Sequence, residues 1–262
     1  MTAGRHHEDM TDFALSFDAI AAQYASARPG YPAELFTTVE ELTGAPLTGR
    51  RVLDVGAGTG IATRQLLDRG ARVIAVEPGP GMGAQLHTTL PQVPLVRATG
   101  EALPFADGRA DLVTYAQSWH WTDPQRSVPE ALRVLRPGGA LALWWNVPDS
   151  PWSAAQEKRL ATRVPGHHGF GVAVDTEHLI KDAAPATTRI HRRLTWTREL
   201  TLDAHLAHLG SRSYFAALGP DGAAPLLAEE REHLLRIFPD GQVQEHYTVE
   251  LTVALKPPAA TG

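Results

Sequence analysis

The chain has no cysteine among its 262 residues. Disulfides, thiolate metal sites, iron-sulfur clusters and cysteine nucleophiles are therefore excluded. Lysine is scarce as well, with Lys158, Lys181 and Lys256 alone, and the formal net charge is −5. The one dense basic cluster is His191-Arg192-Arg193. Nucleic-acid binders carry a basic stripe that displaces counterions from phosphates, so the expected partner is a small molecule and no nucleic acid. Long apolar runs are missing too. The longest, 140–145, falls far short of the roughly 20 residues that span a bilayer, and the polar start at 1–10 lacks the apolar core of a signal peptide. A cytoplasmic protein with no membrane contact is expected, as a monomer or homodimer.

The 43% of hydrophobic residues suffice for one substantial α/β domain with an added lid. Apolar Phe13, Phe17, Ile20 and Ala21 fall at helical spacing over 13–25, and Pro32 suits the first position of a helix over 32–42. Strands are expected at 51–55, 72–76, 95–97, 111–116 and 140–145, alternating with helices at 61–68, 82–89 and 126–135. Pro137-Gly138-Gly139 marks the stop before the fifth strand. Strands separated by helices imply βαβ units and a parallel sheet. Beyond Pro148 the rhythm changes: a helix over 152–164, a loop over 165–172, a strand over 189–200, helices over 202–209 and 223–238, and a strand over 244–255.

The expected fold is α/β, a Rossmann-like seven-stranded, mostly parallel sheet with an antiparallel C-terminal edge, an N-terminal helical cap and a C-terminal lid insertion. The layout is a disordered 1–11, then a single domain over 12–262. Within it lie a cap over 12–45, a cofactor core over 50–148, lid and substrate insertions over 150–240 containing a strand near 189–200, and a last strand over 243–256.

One motif carries chemistry. Asp54-Val55-Gly56-Ala57-Gly58-Thr59-Gly60 sets a glycine turn at the end of the first strand and opens a helix. Glycine permits positive φ and close backbone approach, and the helix N-terminus offers unpaired N–H groups, so a nucleoside cofactor is implied. Glu77 stands 21 residues after Gly56, at the end of the second strand, where a carboxylate can accept hydrogen bonds from ribose hydroxyls. The spacing is GxGxG where dinucleotide sites use GxGxxG, which favours S-adenosylmethionine (SAM) over NAD.

With DVGAGTG, VEP, ATGEALPF, DLVTYAQSWHWTD and RVLRPGGALAL in this order over about 13–148, the chain resembles the class I SAM-dependent methyltransferases. FDAIAAQYASARPGYP followed by SWHW is similar to their small-molecule branch, type 11 and trans-aconitate methyltransferase-like. The resemblance implies SAM as cofactor, with S-adenosylhomocysteine as product. It implies that Tyr24 and Arg28 fold over the cofactor, that Gly56, Ala57 and Gly58 lie against its methionine part, and that Glu77 holds ribose. Pro78 and Met82 would flank adenine, Thr99, Gly100 and Glu101 its edge, and Gln117 the methionine end. Many members carry aspartate where Thr99 stands.

No Asp/Asn-Pro-Pro-aromatic motif of base-modifying enzymes follows the fourth strand, and no carboxylate lies between Leu112 and Thr122 to hold magnesium. No metal is expected. Methyl transfer needs alignment in a dry pocket, with a base where the acceptor must lose a proton. His120 is the candidate catalytic base, or else a brace for its loop. Trp119, Trp121, Trp145 and Trp152, with Tyr24, His120 and Tyr214, are candidates for the acceptor pocket; the tryptophans could instead be core aromatics, and Tyr214 buried packing. His167-His168, and His205 with His208 at i, i+3 spacing, read as solvated surface histidines. Two acceptor classes remain: an aromatic or heteroaromatic natural product, slightly favoured by the tryptophans, or a polycarboxylate met by Lys158, Arg159, Arg163 and Arg212. A dehydrogenase, and a SAM-binding protein that transfers no methyl group, are the rivals.

Overall fold

The computed structural model describes residues 28–164, 167 and 175–259. The expectations for 1–11 and 13–25, Tyr24 included, and for His168 lie outside them. In chain order the elements are α1 (Ala33–Thr43), β1 (Arg51–Val55), α2 (Ile61–Asp68), β2 (Arg72–Val76), α3 (Pro80–Thr89), β3 (Leu95–Val96), β4 (Ala110–Ala116), a 3-10 turn (Trp119–Trp121), α4 (Pro124–Val134) and β5 (Leu135–Pro148). There follow α5 (Pro151–Arg163), α6 (Thr176–Ala183), β6 (Thr188–Thr201), α7 (Leu202–Gly210), α8 (Ser213–Ile237) and β7 (Gln242–Leu255).

The seven strands form one sheet in the order β3-β2-β1-β4-β5-β7-β6. β1 to β5 pair in parallel. β7 runs against β5, with Gly139 opposite Lys256 and Asp149 opposite His246. It also runs against β6, where Leu202 N–H donates to Gly241 O and Arg193 meets Glu250. The expected Rossmann-like sheet, with its antiparallel C-terminal edge, is the observed one.

Several boundaries moved for local reasons. α4 begins at Pro124 because the Asp123 side chain caps it, accepting from Gln125 N–H. β5 begins at Leu135, with Arg136 to Gly139 as an irregular excursion: Ala110 pairs with Leu135, then Leu112 with Ala140. α6 has no counterpart among the expected elements; Asp175 caps it, accepting from His178 N–H. α8 starts earlier than expected and is broken at Gly219 (φ 67°, ψ 173°), just before Pro220.

The described residues divide into two compact units, one of residues 30–146, 175–194 and 249–259, the other of 28–29, 147–164, 167 and 195–248. In the first, the apolar strands give a core in which Val52, Leu112, Leu141, Leu143 and Trp144 are 0–1% exposed. Phe36 and Tyr31 pack edge-on against Trp144, and Gln65 exchanges hydrogen bonds with both backbone polar groups of Tyr31. Lys256 Nζ donates to the carbonyls of Leu132 and Leu135, at 2.6 Å each, at the end of α4.

The second unit has its own core, made by Leu160, Leu202, Leu206, Leu209, Phe215, Leu234 and Val243. Here the structure corrects the sequence reading: His205 and His208 are each 3% exposed, not solvated. They are buried because Glu245, on the inward face of β7 and 40 residues from His205, supplies them with a polar partner.

Asp111 pins the entry to β1. It accepts from Arg51 N–H (2.8 Å) and Nε (3.0 Å) and from Arg136 Nε (2.6 Å). The Arg51 side-chain hydrogen bond, outweighing burial, holds this carboxyl well below the usual range. A depressed carboxyl pKa contributes stability above its unfolded value of about 3.9 and loses it as pH falls through the native value. Asp111→Asn is therefore expected to lower the urea midpoint at pH 7, with the gap to wild type narrowing below about pH 4. A gap independent of pH in parallel urea melts would refute this account.

Candidate functional site

The glycine turn after β1 is shaped by close contacts. Gly56, Gly58 and Gly60 have φ of 67°, 57° and 89°, a region that costs an L-residue roughly 1–2 kcal/mol. A Cβ on Gly56 would lie 2.4 Å from Ser118 Cβ, so only glycine lets β1 and β4 end side by side. Ser118 Oγ closes this approach by donating to Val55 O at 2.6 Å. The N–H groups of Gly56 and Ala57 both donate to Val76 O (2.8 and 3.1 Å), anchoring the turn on β2. Below it, the fully buried Asp54 accepts from Thr63 on α2 (2.6 Å) and Thr114 on β4 (2.9 Å). Burial raises its pKa, against these two hydrogen bonds.

Glu77, 8% exposed, sits just past β2. Its Oε2 accepts from Gly58 N–H and its Oε1 from Gly79 N–H, each at 2.8 Å. An ionised carboxylate has about four acceptor positions, twice the number these two backbone bonds use. A Cβ on Gly58 would meet no protein atom within 4 Å, and among the described residues the buried Thr59 Oγ1 has no partner. Open space above a glycine turn, beside a carboxylate, fits a ribose-bearing cofactor. Pro78 is half-buried and Met82 buried in the first turn of α3. Gly100 is packed so tightly that a Cβ would lie 2.5 Å from the Tyr115 hydroxyl. Thr99 is exposed, and Glu101 Oε1 accepts from Asp123 N–H at the start of α4.

At the end of β4, Gln117 is the one non-glycine residue with positive φ (57°) among the described residues; such backbone strain clusters at functional sites. The 3-10 turn that follows brings four of the aromatic candidates together. Trp119 is 3% and Trp145 4% exposed, their rings 6.4 Å apart, and the Trp119 indole N–H donates to Ser127 Oγ. His120 and Trp121 are half-buried, with ring centroids 4.7 Å apart. Trp145 Nε1 donates to His120 Nδ1 at 3.2 Å. Neither Ser118 nor this indole–imidazole bond was foreseen; both depend on strand adjacency, which no local signal carries.

Three candidates lie in the second unit. Arg28 Nη2 donates to Ser211 O at 3.5 Å. Trp152 packs edge-on against His205 and Phe238. Tyr214 is buried, its hydroxyl accepting from Arg212 Nη1 at 2.7 Å.

Residues 53–143 match the family described as a methyltransferase domain. An uncharacterized methyltransferase of Mycobacterium tuberculosis is 39% identical over 203 residues, 78% of this chain and 79% of its own. The chain belongs to the class I SAM-dependent methyltransferases. Its fold is also that of a putative type II methyltransferase from Anaeromyxobacter dehalogenans, 26% identical with a TM-score of 0.66 over 88% of this chain and 99% of that one. A phosphoethanolamine N-methyltransferase of Haemonchus contortus shares the fold at 17% identity and a TM-score of 0.56, over 92% of this chain and 57% of that one. As a methyltransferase of this class the protein uses SAM and transfers its methyl group to a small molecule. Among the described residues, no helix is long and apolar enough to cross a membrane.

Two glycine substitutions separate fold from cofactor binding. Gly56→Ala should lower the melting temperature, because Ser118 blocks its Cβ. Gly58→Ala should cost only the left-handed strain of about 1–2 kcal/mol in the ligand-free protein, yet weaken SAM binding. Thermal melts and SAM calorimetry on both variants check the ranking; the reverse order would sink this account. In Glu77→Gln one amide NH2 must oppose a backbone N–H, and calorimetry should show SAM binding weakened by about 10- to 100-fold.

Proposed function

We propose that this methyltransferase acts on a flat aromatic or heteroaromatic acceptor held beside His120 and Trp121. The observation that carries this reading is the Trp145 Nε1–H to His120 Nδ1 hydrogen bond. An indole N–H only donates, so Nδ1 accepts and the neutral imidazole carries its proton on Nε2. His120 is thereby fixed in one ring orientation, its centroid 4.7 Å from that of Trp121, as part of a wall for the flat acceptor. A base role for His120 would require this bond to break, so orientation is the better supported function.

SAM, when bound, supplies a methyl group already activated by its sulfonium charge. The chain's own part is to receive the cofactor and align the acceptor. For the first, Gly56, Ala57, Gly58 and Glu77 are proposed at methionine and ribose, Pro78 and Met82 beside adenine with Thr99, Gly100 and Glu101 at its edge, and Gln117 at the methionine end. Alignment of two reactants can be worth on the order of 7–11 kcal/mol. Aromatic rings at the cofactor-facing ends of β4 and β5 favour flat ligands and cationic character. The small-molecule branch with trans-aconitate methyltransferase-like members remains a finer reading, and under it the acceptor would be a polycarboxylate.

Labelled methyl transfer from SAM into a panel of indoles and phenols, and into a panel of di- and tricarboxylic acids, tests the reading. Label is expected in the aromatic panel; label in acids alone would replace it with the polycarboxylate reading. For an aromatic substrate so found, Trp145→Phe should lower kcat/KM by about tenfold, the worth of one oriented hydrogen bond, with SAM affinity unchanged. Unaltered kcat/KM would remove the orienting role from His120.

A further inference from the structure

The run from Gly100 to Phe105, after β3, lies along α4. A Cβ on Gly100 would stand 2.5 Å from the Tyr115 hydroxyl and 3.1 Å from Thr122 Cγ2, so its backbone is wedged between β4 and the end of the aromatic turn. Glu101 Oε1 accepts from Asp123 N–H at 2.8 Å. Further on, Leu103 N–H donates to Glu130 Oε1 (2.8 Å). The Arg133 guanidinium, forked on Glu130, donates to Leu103 O (3.0 Å) and Phe105 O (2.8 Å). One helix therefore holds this run at both ends.

The aromatic turn is built into the same helix. Thr122 Oγ1 lies 2.8 Å from Trp119 O and 2.9 Å from Ser127 Oγ, and the Trp119 indole N–H donates to that Ser127 oxygen at 3.0 Å. Thr122 N–H donates to Trp119 O, and Trp121 N–H to Ser118 O. Asp123, the residue that Glu101 grips, is the N-cap of α4. In a capping box a Glu or Gln at the third helical position accepts the N-cap N–H. Here that position holds Arg126, whose side chain has only donors. Glu101 supplies the missing acceptor from outside the helix, and its carboxylate suits the positive end of the helix dipole.

We propose that Glu101 is a positioning residue that couples the cofactor to the acceptor. Its backbone belongs to the run placed at the adenine edge, while its carboxylate holds the entry to α4 and with it the turn that carries His120 and Trp121. Adenine seated on that run restricts it, and the restriction passes through Glu101 and Asp123 to the turn. A second ligand then meets a turn already ordered and bears less of the entropy of ordering it. The acceptor accordingly binds more tightly to the loaded enzyme than to the free one, and by linkage the cofactor gains the same factor from the acceptor. This inference rests on the adenine and acceptor placements proposed above.

Adenosine is the probe, because it fills the nucleoside part of the site and leaves the methionine end at Gln117 empty. The full chain is titrated with it while backbone amide exchange is followed by NMR. Exchange should slow about fivefold or more at 99–103 and, with the same midpoint, at 119–127. In Glu101→Ala the slowing at 99–103 should persist and that at 119–127 should vanish. Glu101→Gln, whose amide oxygen still accepts, should restore it. A residue that only braced the fold would leave the response of 119–127 to adenosine in place. No slowing at 99–103 in the wild type would overturn the adenine placement and the coupling with it. Slowing there that fails to reach 119–127 in the wild type, that reaches it undiminished in Glu101→Ala, or that is not restored in Glu101→Gln would overturn the coupling alone. Should the alanine variant fail to fold, the wild-type and glutamine patterns decide.

Discussion

The approach of the β1 turn to Ser118 is the constraint on which the site depends. Position 56 has no room for a side-chain carbon, and the chain leaves β1 there with positive φ. That exit aims the amides of Gly56 and Ala57 at Val76 O and the amide of Gly58 at Glu77. One carboxylate thereby ties the turn to the start of α3 through Gly79. Asp54 repeats the device one layer down, joining β1 to α2 and β4 with a side chain whose pKa burial raises against its two hydroxyl donors. The open space at Gly58 is what remains when every other direction has been closed.

Much of this frame is legible in the sequence where burial and periodicity coincide. β1, α2 and β2 fall at the expected 51–55, 61–68 and 72–76, because short connections and apolar runs leave one solution. Glu77 and the glycine turn are legible through spacing. The aromatic turn is legible only in composition: SWHW shows four residues fit for a ligand, but Trp119 and Trp145 prove buried, and the bond that orders His120 comes from the neighbouring strand. Local pattern likewise shows Pro137-Gly138-Gly139 as a stop, whereas pairing with β4 carries β5 across it. His205 and His208 failed for a similar reason. A polar residue on a helix reads as solvated until a distant partner is known, and the signal available was Glu245, a charge at an inward position of the alternating strand Val243 to Val253.

The two units differ in how they treat polarity. In the first, buried polar side chains meet in small local groups, as Asp54 does with Thr63 and Thr114, each joining two or three elements. In the second, Arg159, Glu230, Gln156, His205, Glu245 and Arg198 form one connected chain of bonds. Such a network contributes little net stability relative to a well-packed apolar core, but loss of any member strands the others. The unit that carries it is accordingly intolerant of substitutions that would be mild on a surface.

Lys256 has a practical side. Its ammonium is bound by two main-chain carbonyls at the end of α4, which removes it from easy attack by acylating reagents. In a chain with three lysines and no thiol, amine-directed dyes or coupling resins then have Lys158, Lys181 and the α-amino group to choose from. Any cysteine introduced elsewhere becomes a unique chemical handle.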